Sequence, residues 1–148
     1  MATGWDGMRK MPGWPDDQVF VTGRVSHNWL FQKVALAVHH GSAGTTAATL
    51  RAGIPSVVVP FLSDQLFWAW RLEKLGIAPP RVSINTLTAE QLAHAISLAN
   101  ETGMRKRASE AAKQISSEDG VGVAVAILAD FASLNAQRGG RHSPVRLA

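Results

Sequence analysis

The stretch His39-His40-Gly41-Ser42-Ala43-Gly44-Thr45-Thr46 carries residue types and a spacing that could do chemistry. Its glycines let the backbone come close to an oxyanion, and its histidines and threonines supply side-chain donors around that point. An apolar run, Val34-Ala35-Leu36-Ala37-Val38, precedes it, and an Ala/Leu-rich helical pattern, Ala47-Ala48-Thr49-Leu50, follows. A strand, a glycine-rich turn and a helix start, in that order, build a phosphate cradle. The helix start points unbonded N–H groups and the positive end of its dipole at the turn. No lysine follows the last glycine, so this is not a Walker P-loop, and the spacing is not that of the dinucleotide fingerprint. The loop suits a pyrophosphate held without a dedicated lysine.

The elements that must position this loop can be read around it. Val19–Thr22 reads as a short strand, Asn28–Lys33 as a single helical turn, and Val34–Val38 as a strand buried on both faces of a parallel sheet. Gly44–Ala52 reads as a helix stopped by Gly53 with Pro55 just beyond. Ser56–Val59, rich in β-branched residues, is a second buried strand. Asp64–Leu75 is a helix closed by Gly76, and Arg81–Ile84 a last short strand. Thr88 and Gln91 form a capping-box pattern ahead of Leu92, Ala95, Ile96 and Ala99. Gly103 separates that helix from Met104–Ser116, and Gly120 separates the latter from Val121–Leu134. Met1–Asp17 reads as irregular. Strand–helix alternation with short loops predicts an α/β fold on a parallel sheet. Residues 1–137 are expected to form one domain and 138–148 a disordered basic tail. Three or four strands are few for a complete doubly wound sheet, so the chain reads as a fragment or a naturally short product.

Composition narrows the classes further. The chain has 148 residues, 46% hydrophobic and 18% charged, a globular balance with enough material for a sizeable core. With no cysteine, neither a disulfide framework nor a cysteine metal site can form. The apolar runs Val34–Val38 and Ile54–Leu62 are too short to span a bilayer, so no transmembrane segment is expected. Met1 to Gly7 lacks a charged segment followed by an apolar core, so no secretory leader is expected either. The net charge of +4 invites a nucleic-acid partner, but the cations are scattered over Arg105-Lys106-Arg107 at a helix start and over Arg138, Arg141 and Arg146 in the tail. Without aromatic–basic interleaving or a groove-reading motif, they read as solvated faces and no nucleic acid is expected.

The loop, together with Arg51-Ala52-Gly53-Ile54-Pro55, Val57-Val58-Val59-Pro60-Phe61 and Asp64-Gln65, resembles the nucleotide-sugar-binding half of family 1 glycosyltransferases. It is most similar to the sterol glucosyltransferases and the macrolide or glycopeptide glycosyltransferases. Thr3-Gly4-Trp5, Ser26-His27-Asn28-Trp29-Leu30-Phe31, Phe67-Trp68, Leu75-Gly76, Leu87-Thr88 and Glu118-Asp119-Gly120 support the resemblance. It runs over roughly nine-tenths of the chain and spares the tail. It implies a GT-B fold, two Rossmann-like domains facing across a cleft, with this chain an incomplete C-terminal domain. The acceptor domain, with the usual catalytic base, and the first strand and helix of the donor domain would lie outside the chain. No catalytic residue is therefore expected within it.

The resemblance implies roles for individual residues. His40, Ser42, Gly44 and Thr45 match positions around the donor pyrophosphate; Thr45 also suits a plain N-cap. His39 stands either there or in the core. Asp64 and Gln65 match the pair that holds hydroxyls of the transferred sugar, and Asp64 also suits capping its helix. His27 and Trp29 lie where relatives meet the uracil, with a turn and core packing as the plain alternatives. Trp68 and Trp70 read as packing residues and His94 as a residue of a helix surface. The Glu that holds the ribose in plant relatives is replaced near Ala48, and Trp5-Asp6-Gly7 departs from the usual Trp-Gly-Gly. The implied reaction moves a hexose, expected to be glucose, from a UDP-sugar co-substrate to a hydroxyl of a lipid or sterol-like acceptor, with inversion. No cofactor or metal is expected, and no Asp-x-Asp cluster is present. A truncated UDP-sugar-binding module without catalysis, or a remnant, is the alternative. The expected location is cytoplasmic, with contact at a membrane surface left open.

Overall fold

Two short parallel strands hold the loop. The structure, a computed structural model, describes Gly13, Pro15 and residues 17–139, the last four by their backbone alone. Strand β1 (Ala37–His39) pairs with β2 (Ser56–Val58) in the register Ala37 to Ser56, Val38 to Val57 and His39 to Val58. Short helix α1 (His27–Leu30) and a 3₁₀ turn (Phe31–Lys33) lead into β1, and helix α2 (Ala43–Ala52) crosses from β1 to β2. This is the expected parallel α/β arrangement. Gly53 ends α2 in the left-handed region (φ 70°), and the Gly53 and Ile54 N–H groups return to Leu50 and Thr49 carbonyls at 3.1 and 3.2 Å. A Cβ on Gly53 would lie 3.1 Å from that of Ala112, so glycine also lets a later helix pack close.

Helix α3 (Asp64–Lys74) follows β2, then a 3₁₀ turn (Ile84–Thr86), α4 (Ala89–Ala99) and α5 (Thr102–Ser116). Both faces of β2 are covered. Val58 packs with Ala69 and Leu72 of α3, Ile77, and Ala108 of α5, while Val57 packs with Ala95 and Ala99 of α4. Burying these two valines contributes on the order of 2 kcal/mol each. A third cluster, Phe31, Ala37 and Ala48, seats α1 and α2 against β1. Thr88 caps α4 with the complete box expected of it, since its hydroxyl accepts from the Gln91 N–H at 3.2 Å and its own N–H reaches Gln91 Oε1. Residues 117–139 belong to a second unit, which holds helix α6 (Gly120–Gly139), with Asp119 Oδ1 accepting from the Gly122 N–H at 2.8 Å.

Four local expectations are corrected. The strand over Val34–Val38 shrinks to Ala37–His39, because the pairing starts only where β2 does; Val34 and Val38 are 37% and 46% exposed. Arg81–Ile84 is no strand: Val82 donates once to the Val58 carbonyl, and the chain then winds into the 3₁₀ turn. Pro79 and Pro80 just before it have no N–H to give a ladder. Val19–Thr22 holds only an isolated bridge residue, Thr22. Gly103 does not break the chain but lies in the first turn of α5, where N–H groups need no helical partner. The tail from residue 140 on and the Thr3-Gly4-Trp5 and Trp5-Asp6-Gly7 segments lie outside the described residues. No helix of the described residues is long and apolar enough to cross a membrane.

Candidate functional site

The site grows from the carboxyl end of β1. Gly41 turns the chain with φ 91°, and a Cβ there would stand 2.8 Å from Val58 Cγ1 and 3.2 Å from the Gln65 carbonyl. Only glycine fits, and the turn after β1 is thereby pressed against β2 and the first turn of α3. The Gly41 N–H donates to His39 Nδ1 at 3.0 Å. A ring nitrogen that accepts is unprotonated, so neutral His39 carries its proton on Nε2. Burial, and then the nearby His40 and His27, push its pKa down to about 4. The Nε2 atom is buried and meets no hydrogen-bond partner among the described residues.

Ser42 is the N-cap of α2, but its side chain does not cap the backbone; its Oγ donates to Thr45 Oγ1 at 3.1 Å. Thr45 thus accepts from Ser42 and keeps its own hydroxyl proton free to donate. No acidic residue occupies the first turn of α2, so its exposed N–H groups face outward without a built-in counter-charge. In front of them lies a cavity of about 360 Å³. Ser26, His27 and Asn28 form one wall, and Ser42, Gly44 and Thr45 the other, with Ala48 and Arg51 further along α2. The His27 ring stacks on Phe31 at 5.0 Å, one helical turn on, which holds its plane. A Cβ on Gly44 would meet nothing within 4 Å, so packing does not demand that glycine.

Four anticipated residues therefore meet here: His27, Ser42, Gly44 and Thr45. The others stand elsewhere. His40 turns its ring toward Phe61, 6.4 Å between centroids. Trp29 is 57% exposed with Lys33 Nζ 5.2 Å from its ring. Asp64 opens α3 and is exposed, but the N-cap is Ser63. Gln65 turns its Oε1 back to the loop before α3, where it accepts from the Phe61 and Leu62 N–H groups at 2.7 and 3.0 Å. Sequence reasoning missed Ser26, Asn28 and Arg51 as lining residues. Arg51 was within reach of it, since positions 44, 48 and 51 recur on one helical face. Among the described residues, no three of His, Asp or Glu cluster to hold a metal ion.

Ser63 sits at φ 44°, ψ −119°, a region a side chain rarely enters. Ser63→Gly is expected to raise stability by about 1 kcal/mol through relief of that strain. Ser63→Ala is expected to give no such gain, and thermal melts of the two variants compare them directly.

Residues 6–128 match the family described as the erythromycin biosynthesis protein CIII-like C-terminal domain. A sterol 3-beta-glucosyltransferase of Arabidopsis thaliana is 38% identical over 122 residues, which are 82% of this chain and 20% of that protein. One of Komagataella phaffii is 42% identical over 113 residues, covering 76% of this chain and 9% of that protein. The chain therefore spans a fifth or less of the length of these relatives. Among solved structures, the glycosyltransferase VinC in complex with DTDP is 26% identical with a TM-score of 0.71, covering 82% of this chain and 31% of that one. The spinosyn forosaminyltransferase SpnP, 22% identical, shares the fold with a TM-score of 0.77 over 89% of this chain and 35% of its own. Such neighbours place the α/β fold within the GT-B architecture, this chain covering a C-terminal portion.

Proposed function

The chain belongs to the family of erythromycin biosynthesis protein CIII-like C-terminal domains, and from that premise we propose that it is the donor-binding part of a UDP-sugar-dependent glycosyltransferase. The observation that carries this is the buried His39 Nε2, without a partner among the described residues, at the end of β1 and three residues before Ser42, whose side chain leaves the start of α2 uncapped. A buried donor without an acceptor costs about 1–3 kcal/mol, and a phosphate oxygen is the acceptor that would repay it. The Thr45 hydroxyl, the N–H groups around Gly44, and Ser42 complete a set that suits a pyrophosphate. The bare Gly44 lets the anion approach that turn. His40, on the neighbouring side of the loop, is assigned to the same phosphates.

In this reading the nucleoside extends along the cavity between Asn28 and Arg51, with His27 beside it, and the hexose points toward Asp64 and Gln65. The sugar is glucose and the acceptor a lipid or sterol-like hydroxyl, as the names of the curated relatives suggest. A base outside this chain takes the acceptor proton. The acceptor oxygen bonds to the anomeric carbon as the bond to UDP breaks, and UDP leaves with the electron pair. The donors of the loop then do the chemistry available to this chain: they hold the diphosphate and stabilise the charge growing on it. Calorimetric titration of UDP and UDP-glucose into the chain tests the assignment. Binding at one site is expected, with no sugar transfer by the chain alone; no heat from a chain that melts cooperatively would overturn it.

A further inference from the structure

The basic triplet Arg105-Lys106-Arg107 has no part in the site, and the structure divides it. Arg107 is spent on architecture: its Nε donates to the Gly76 carbonyl at 2.7 Å and ties α5 to the end of α3. Arg105 and Lys106 instead line a second cavity, of about 470 Å³, at the amino ends of the strands. This is the opposite edge of the sheet from His39. Its apolar wall is Val34, Ile54 and Pro55, from the segments that lead into β1 and β2, and Thr102 adds a hydroxyl. Among the described residues, no carboxylate lines it. Among the described residues Arg105 forms no ion pair, and Lys106 meets Glu110 only at 4.0 Å with its side chain 76% exposed, a contact worth little.

Two adjacent cations, of which only Lys106 meets a carboxylate and that loosely, call for a doubly charged or multidentate anion, and phosphate oxygens match the planar fork of arginine. The volume falls in the range of small-molecule pockets and exceeds what a bare anion fills, while the Val34–Ile54–Pro55 wall offers apolar surface to the remainder. From this we infer that the cavity between α5 and the strand entries binds a phosphate ester that carries an apolar chain. Such a group can come from a free amphiphile or from an anionic phospholipid in a bilayer. The inference does not depend on UDP binding at the opposite edge.

The test uses the full chain with two probes. Hexyl phosphate is titrated while the amide resonances of Gly53, Ile54 and Ser109 are followed, with hexanol as the uncharged control. Sedimentation with phosphatidylcholine vesicles, with and without phosphatidic acid, forms the second arm. The Arg105→Gln, Lys106→Gln double variant is expected to weaken whichever binding is seen by roughly fivefold or more and to leave UDP affinity unchanged. Saturable hexyl phosphate shifts identify a free amphiphile; vesicle binding that needs phosphatidic acid and both cations identifies the bilayer. Binding of neither probe, equal binding by the double variant, or equal shifts with hexanol would overturn the inference.

Discussion

His39→Asn weakens UDP binding by roughly 30- to 150-fold while the chain stays folded. The estimate follows from losing one charge-assisted hydrogen bond, about 2–3 kcal/mol. Asparagine is informative for what it keeps. Its Oδ1 takes the place of His39 Nδ1, so the Gly41 N–H retains its acceptor and the turn at φ 91° persists. What disappears is the distal Nε2 donor. His39→Gln makes the complementary change, keeping a distal N–H and giving up the near acceptor, and is expected to retain more affinity than the asparagine variant. Titration calorimetry beside thermal melts reads both. If His39→Asn binds UDP within threefold of the parent chain, His39 does not touch the phosphates and the orphaned Nε2 has another explanation. The same titration of His40→Ala weighs the second histidine of the pair.

His39 also makes the fold sensitive to acid. Its folded pKa is lowered from 6.5 to about 4, first by burial and then by His40 and His27. Between those values the unfolded chain takes up a proton that the folded chain refuses, so stability falls as pH falls. The contribution is fully present above pH 6.5 and diminishes toward pH 4, where on the order of 3 kcal/mol has gone. Urea unfolding at pH 7 and pH 4.5 should show the parent chain losing about 2–3 kcal/mol more than His39→Asn. Equal losses in the two proteins would remove His39 as the cause.

What the sequence disclosed depends on whether the signal was local. Gly53 and Gly76 stop their helices with φ of 70° and 67°, and the Thr88–Gln91 box forms as spelled, because each is a contest among a few neighbouring groups. The buried strand Ser56–Val58 was also legible, since both of its faces need apolar partners and its residues supply them. Strand length was not. Whether Val34 to Leu36 belong to β1 is decided by where β2 begins, about 20 residues on, and Ile54 and Pro55 are still in the turn there. The site divides in the same way. The phosphate-type loop was plain in the order strand, glycine turn, helix. That His39 would face inward and donate to nothing, while Gln65 would spend its carbonyl on the neighbouring loop, follows from contacts that no spacing encodes.

The commitment of Gln65 Oε1 has a stereochemical consequence. With both backbone N–H groups of Phe61 and Leu62 directed at that oxygen, the amide cannot flip without losing them. Gln65 then meets a ligand only through its NH₂, as a giver of protons, while the exposed Asp64 carboxylate beside it can only receive them. A sugar hydroxyl that reached both would satisfy both at once, accepting from one and donating to the other. An ether or keto oxygen in its place would satisfy Gln65 and leave Asp64 facing a lone pair. In the sugar-binding role proposed for it, the pair would therefore be polar in a directional sense and would distinguish a free hydroxyl from a methylated or oxidised one at the same carbon.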